Sequence, residues 1–465
     1  MSDAFWLKAG AAEVDVTPAL DIQIAGDIGR RRPVEEIRER IYSRALFLEG
    51  AGQRCCILSI EVCFITDRYV AEIRRRAAEE FGLEPHAILV HPVQNHSAPA
   101  VGNAAVSDEY AGIPPDLWWL RSGDERYNEP AIQGILESMR RAHASMVPVQ
   151  VFVAREIDGR PAFNRRFVLR DGTAVAHPGG QFHKMILFPE GPIDPEVGVM
   201  VLRAADGRNV AALLHYTCHP VHGYPHRYVM GDWPGAWASA MRSALGIECI
   251  PLVINGCCGN VHHHNHLDPT HVSNHMRMGA MLAESAGRAL RELQEQRTPR
   301  LAWRSEVLQI PVRELDAEEV SAARALLERQ PQAPITMEGS LPSVAWDWVY
   351  AHAIMDLAAK RQRRKAEAYE VQAIRIADTG IVALVGEPFV EGQLDIKQRS
   401  PFPFTWVAHM ANGYAGYVPT PEALRRGGNI SFETRTSNWS QFVPEALEMI
   451  ANKALALLND LHRQP

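Results

Sequence analysis

A chain of 465 residues, 46% hydrophobic and 22% charged, has an ordinary globular composition and can bury a substantial core in one large or two medium domains. Its formal net charge of -7 and pI near 6.3 leave no basic surplus for a phosphate backbone. That balance argues against nucleic acid or an anionic membrane as partner and for a small-molecule substrate, neutral or polar.

Taken in chain order, RALFLEG (44–50) and CCILSIEVCFI (55–65) read as buried strands, and DRYVAEIRRRAAEEFG (67–82) as an amphipathic helix closed by Gly82. AILVHPV (87–93) returns as a strand. Strand, helix, strand predicts an α/β fold of layered mixed β-sheets flanked by helices, with chemistry in loops beyond strand ends, here QNHSAPAVGN (94–103). A helix near 129–145 follows the Pro- and Trp-rich IPPDLWWL, and then the strand VQVFVAREI and the turn-rich FNRRFVLRDGTAVAHPGG (163–180). VGVMVLRA and NVAALLHYTCH form a predicted hairpin around DGRN, ending in a histidine-rich loop. WPGAWASAMRSALG reads as a helix, IPLVING as a short buried strand and 276–296 as one long helix. Residues 315–366 read as two helices joined by a Pro-rich loop, an insertion or flank; 369–389 is a strand hairpin, and a Tyr- and Gly-rich loop precedes a final helix. Without repeats or a long linker, a single domain over 1–465 is expected.

The N-terminus lacks the basic and apolar regions of a secretion signal, and no stretch is long and uncharged enough to span a bilayer, so a cytoplasmic location is expected. Seven cysteines, two pairs of them sequence neighbours (Cys55/Cys56 and Cys257/Cys258), read as reduced, mostly buried thiols.

Histidines cluster in two loops: His215, His219, His222 and His226, then His262, His263, His264 and His266. Neutral imidazole is the commonest ligand for zinc and similar ions, so each cluster is expected to supply a ligand; the alternative is helix caps and satisfied core histidines. His219, ahead of Pro220, is the strongest candidate, whereas His215 suits a core position. In extended chain His262 and His264 would face one site and His263 the other side. Asp232, just before Pro234, either caps a helix or orients a ligand. Glu387 follows a buried strand and a glycine, which suits a structural cap or a metal ligand. Tyr414 and Tyr417 sit in a glycine-flanked loop, where a phenol binds metal, donates to a developing oxyanion or merely packs. Arg165 and Arg166 could fork onto a substrate carboxylate or carbonyl oxygen, although for Arg166 a surface salt bridge is at least as good a reading.

In order, GAAEVDVTP, IYSRALFL, NHSAP, FNRRF, GPIDPEVGVM, CHP, GDWPG, CGNV, VGEPF and NGYAGYVPT with a trailing Glu433 resemble the neutral/alkaline ceramidase superfamily, from about Gly10 to Glu433. The resemblance implies a zinc amidase with His219, Glu387 and a tyrosine of NGYAGY, preferably Tyr417, as ligands and Arg165 as the active-site arginine. Two departures stand out. The family's His-Thr-His-Ser reads Gln94-Asn95-His96-Ser97, so one ligand is missing, to be replaced by His96, Gln94, His91 or the His262 cluster. The family's Gly-Asp-Val-Ser-Pro-Asn reads Gly259-Asn260-Val261-His262-His263-His264, putting His262 where a serine stands. The chain also leaves no room for the ceramidases' extra C-terminal β-domain, which makes ceramide an unsuitable substrate.

The expectation is therefore hydrolysis of an amide in a small soluble substrate, with Zn2+ or another divalent transition metal held by His219, Glu387, Tyr417 and His96. Arg165 and Tyr414 would stabilise the oxyanion, and His262, His264 or Asp232 would carry the proton. An esterase, lactonase or sugar-modifying enzyme on the same scaffold, or a non-catalytic metal or ligand sensor, are the alternatives; a homo-oligomer stays open.

Overall fold

The computed structural model describes residues 6–464. Its largest sheet has nine strands. Eight run in the spatial order Ile250–Asn255, Asn209–Tyr216, Glu196–Ala204, Val147–Ile157, Leu7–Asp15, Tyr42–Gly50, Gln53–Ile60 and Ile88–Pro92, and Gln294–Gln296 adds to Val147–Ile157. A second sheet of four orders Leu301–Pro311, Ala366–Ile376, Thr379–Leu384 and Phe404–Ala408. Both are mixed: most neighbours are antiparallel, but Asn209–Tyr216 runs parallel to Ile250–Asn255, Gln53–Ile60 to Ile88–Pro92, and Thr379–Leu384 to Phe404–Ala408.

The sheets pack face to face. Leu46, Leu48, Ile57, Met200 and Leu213 of the first bury against Ile374, Ile381 and Trp406 of the second. Helices Asp67–Phe81 and Glu125–Ala144 cover one half of the large sheet's outer face, and Asp232–Leu245 and His275–Ala289 the other half. Ala446–Arg463 covers the smaller sheet. The expected layered α/β architecture is thus present as helix, sheet, sheet, helix. The period of two explains the adjacent cysteines: Cys55 points into the inter-sheet core and Cys56 to the helix side. All seven cysteines are buried and unpaired. Among the described residues no helix is long and apolar enough to cross a membrane.

Helix Asp67–Phe81 closes at Gly82, whose left-handed backbone (φ 62°) lets its amide bond Ala78, as the sequence predicts. Two predicted elements are corrected. The helix expected over 276–296 stops at Ala289, because Gln294–Gln296 pairs instead with Val151–Val153 at the sheet. The loop between helices Ala317–Arg329 and Trp346–Arg363 contains a hairpin, Ile335–Glu338 with Leu341–Val344.

Candidate active site

Five chain segments leave the carboxyl ends of strands that have a parallel neighbour, and they meet at one edge of the two sheets: 93–97, 217–221, 256–264, 385–387 and 409–417. This is where α/β sheets open crevices. Two buried side chains tie the strand ends together. The Asn255 side chain accepts from the Cys218 amide and donates to the Val93 carbonyl (3.0 Å). His91 accepts from the Asn255 amide through Nε2 (3.0 Å) and bonds the His409 carbonyl through Nδ1 (2.8 Å). With both nitrogens used, His91 does not replace the missing ligand.

Beneath the edge lies a cavity of about 690 Å3 lined by His96, Arg165, His219, His262, Glu387 and Tyr417, together with His264 and Tyr414. Its sharpest feature is the pair His96 and His219, whose Nε2 atoms stand 2.9 Å apart. Each ring presents Nδ1 to a backbone carbonyl, His96 to Gly26 (3.0 Å) and His219 to Cys258 (3.3 Å). A carbonyl only accepts, so both Nδ1 atoms carry hydrogen and both facing Nε2 atoms carry lone pairs. Burial, with Arg32, pushes the His96 pKa down to about 3, and burial, with Arg165, holds His219 well below its ordinary value, so no proton sits between them near neutrality. Two lone pairs face to face repel; a cation relieves this. Backbone-anchored imidazoles are also the arrangement that orients histidine ligands on a metal.

Glu387 lines the same cavity. It is 4% exposed and its Oε2 has no hydrogen-bond partner, while Oε1 accepts from the Tyr414 hydroxyl at 3.4 Å, with Gln94 and Tyr417 alongside. Burial raises its pKa to about 7 despite the nearby Arg165. The main chain sets the carboxylate there through a short parallel pairing of Glu387–Pro388 with Tyr417–Val418. Among the described residues no three His, Cys, Asp or Glu side chains close on one point. Only His96 and His219 stand close enough to share an ion as placed; Glu387 and the Tyr417 phenol line the same cavity.

Arg165 is held from behind. Glu433 lies 3.1 Å from its Nε, Nη2 donates to the Gly259 carbonyl (2.6 Å) and reaches the Tyr417 hydroxyl (3.4 Å), and Nη1 stands 3.5 Å from His177 Nε2. Arg166, for which a surface ion pair was an open reading, is fully buried; it bonds Glu190 and Glu433 and braces the same carboxylate. His262 is fixed by its Nδ1 accepting from the His264 amide (3.0 Å), which leaves hydrogen on Nε2 in the neutral ring. His263 does not face away as alternation predicted: it lines the cavity too, stacked on His222 at 3.6 Å between ring centroids. His264 lies beside His266 and His271 rather than beside the His96/His219 pair. Asp232 is outside the lining. It accepts from His222 Nδ1 (2.6 Å), the His222 amide and the Trp233 amide; burial alone would raise its pKa, but His222 brings it to about 2. Asp232 is the first residue of its helix rather than the cap, a place Gly231 takes without a side-chain bond, and its carboxylate holds His222. His215 is a core residue stacked on Trp406, and His226 stacks on Tyr228 outside the cavity.

One cavity residue goes unnoticed in the sequence. His177 is half-buried beside Arg165 and His262, its Nδ1 is 3.0 Å from His266 Nε2, and it holds a left-handed backbone, φ 50°. Gln94 (φ 70°), Asp232 (φ 50°) and Met410 (φ 52°) share that costly conformation, and all four residues line or support the cavity. Strained backbone collected at one place is a mark of function. For His177 the only sequence signal is the turn His-Pro-Gly-Gly.

No protein-family model matches the chain, and no curated protein matches it significantly. Solved structures do. The neutral ceramidase from Pseudomonas aeruginosa superposes with a TM-score of 0.70 at 15% identity over 99% of this chain and 75% of that one. A ceramidase complexed with C2 gives 0.70 at 15% identity over 98% and 75%. The chain has a neutral ceramidase-like fold along nearly its whole length.

Proposed function

We propose that this protein is a metal-dependent hydrolase that cleaves an amide bond in a small substrate. The observation that carries the reading is the His96/His219 pair, two anchored imidazoles aiming lone pairs at each other in a buried cavity beside an unpartnered carboxylate oxygen. The fold shared with ceramidases adds support for amide hydrolysis.

His96 and His219, with Glu387 and Tyr417 from the same cavity wall, would hold Zn2+ or a similar ion, which would supply Lewis acidity toward water and a carbonyl oxygen. The chain's own groups do the rest. Arg165, pinned by Glu433 and the Gly259 carbonyl, offers fixed positive charge beside the Tyr417 hydroxyl, where an oxyanion develops. Tyr414 donates its hydroxyl hydrogen to Glu387 Oε1 and so helps hold that carboxylate. His262, whose neutral ring carries its hydrogen on Nε2, donates a hydrogen bond at the cavity wall, and the proton the leaving nitrogen takes is the one the attacking water gives up. Ile28, Phe64, Met410 and Trp439 keep the cavity's remaining walls apolar and its water sparse.

The test joins elemental analysis of the purified protein to turnover of matched amide and ester pairs. The reading expects bound divalent metal and amide cleavage lost on chelation and restored by the ion. A protein that turns over amides at full rate after exhaustive chelation would falsify it.

A further inference from the structure

His222 lines the cavity three residues past His219, in a loop that runs beside His96, whose amide donates to the Pro220 carbonyl (3.0 Å). Its ring is held on two sides. The Asp232 carboxylate accepts from His222 Nδ1 (2.6 Å) through Oδ1 and from the His222 amide (2.8 Å) through Oδ2, so one group clamps both ring and main chain. The face of the ring lies on His263, at 3.6 Å between centroids and 16° between planes. Asp232 is itself wholly buried, takes a third donor in the Trp233 amide (2.6 Å) and holds a left-handed backbone, φ 50°.

A carboxylate only accepts, so Nδ1 carries the hydrogen of the neutral His222 ring and Nε2 carries a lone pair. That Nε2 makes no hydrogen bond among the described residues and, unlike Glu387 Oε2, is open to solvent, although the side chain as a whole is only 4% exposed. The ring borders both the cavity and an adjoining groove of about 450 Å3, and Nε2 meets solvent where the two spaces join. His275, with its ring centroid 6.3 Å away, is bound to Glu39 (2.9 Å) and does not compete for it. A clamped imidazole with one nitrogen on a buried carboxylate and the other free takes a proton and gives it back, the carboxylate steadying the imidazolium that forms. Asp232 lies outside the cavity lining, and His262 carries hydrogen rather than a lone pair on Nε2, so neither accepts a proton there.

We propose that His222 is the proton carrier of the hydrolysis and that Asp232 is its positioning residue. This rests on the hydrolase reading above. The attacking water gives one proton to His222 Nε2 as its oxygen bonds the carbonyl carbon. The imidazolium, its other hydrogen still on Asp232, passes that proton to the leaving nitrogen as the C–N bond breaks. Acid and amine are released and the ring returns neutral, so the proton balance closes within the site. An amide nitrogen must gain a proton to leave and so depends on such a carrier; the oxygen of an acidic phenol leaves without one.

The test compares metal-loaded wild type, His222→Gln and Asp232→Asn on acyl p-nitroanilides from acetyl to octanoyl and on the matching p-nitrophenyl esters. In His222→Gln, kcat on the anilides should fall by about a hundredfold or more and on the esters by less than about tenfold, with KM and metal content unchanged. Asp232→Asn should show the same split, because its amide nitrogen would donate to Nδ1 and drive the hydrogen onto Nε2. NMR of nitrogen-labelled histidines in the metal-free protein reads that tautomer without any turnover, the signal being assigned by its loss in His222→Gln. Nδ1–H is expected in wild type and Nε2–H in Asp232→Asn, and circular dichroism confirms the fold of both variants. Nε2–H in wild type, anilide turnover kept in His222→Gln, equal losses on anilide and ester, or loss of the metal from His222→Gln overturns the proposal alone. Wild-type protein that cleaves no anilide overturns the amidase reading, and the proposal with it.

Discussion

His96 and His219 point their Nε2 atoms at one another across 2.9 Å while each Nδ1 is spent on a backbone carbonyl. Neither ring can relieve the contact by turning over its tautomer, because the carbonyls of Gly26 and Cys258 offer nothing to accept from. The pair is complete only with a positive charge between or beside the two nitrogens. Adding Zn2+ to metal-stripped protein should raise the melting temperature, the stabilisation being roughly the 2.7 kcal/mol that a hundredfold excess over Kd confers. His219→Ala and His96→Ala should each lose the thermal shift and the bound metal together, read by differential scanning calorimetry and elemental analysis. Full metal occupancy in His219→Ala would remove that ring from the set.

Gly26 sets the direction of His96. A Cβ there would lie 2.3 Å from His96 Nδ1, and the backbone already sits at φ +79°. Gly26→Ala should cost about 1–2 kcal/mol in backbone strain. Displacement of the ring should weaken metal binding about 10–100-fold, as loss of an orienting contact does. Metal titration of the folded variant reads this directly, and unchanged affinity would count against His96 as a donor.

The carboxylate of Glu433 is wholly buried between two buried guanidiniums, Arg165 and Arg166. Glu433→Gln removes the charge and keeps the shape, which should destabilise the fold by about 3–5 kcal/mol, the usual effect of stranding a buried partner. Turnover should fall too, since Arg165 loses the contact that aims it. Arg165→Lys, which keeps charge but not the fork, should depress kcat more than KM. Denaturant unfolding and steady-state kinetics separate the two effects.

Acid should loosen the metal-free protein through its buried neutral rings, in a range above that of ordinary surface carboxylates. Burial depresses His91 to about 4 and His96 and His215 to about 3, against 6.5 for a free ring. Between those values the unfolded chain binds protons that the folded chain refuses. Stability is therefore complete above about pH 6.5 and is lost as the pH falls toward 4 and 3, by up to about 1.4 kcal/mol per pH unit for each ring. Chemical denaturation from pH 7.5 to 5 checks the sign, and His91→Gln should flatten the slope by about one proton. Stability that rose on acidification would contradict the buried neutral rings.

Much of this was legible in the chain, and for local reasons. His219 ahead of Pro220 and Glu387 after Gly386 declare themselves because chain punctuation after a buried strand places a side chain at a sheet edge. The strand pattern that announces the layers is equally local. What stays hidden depends on partners far along the sequence. Arg166 looks like a surface residue until Glu190 and Glu433, 24 and 267 positions away, enclose it. His177 gains meaning only when Arg165 and His266 arrive on either side. The helix predicted over 276–296 keeps its apolar spacing past Ala289, but an open strand at Val151–Val153 outbids it for Gln294–Gln296.

The carriers of the two facing imidazoles lie 123 positions apart, and Glu387 is contributed after a further 168. No short fragment of this chain could gather them, and the late strand pair Thr379–Leu384 and Phe404–Ala408 must be in place before Glu387 and Tyr417 come within reach. On the proposed ligand set, ion capture would be a closing event in maturation, since its donors come together only when both sheets have assembled.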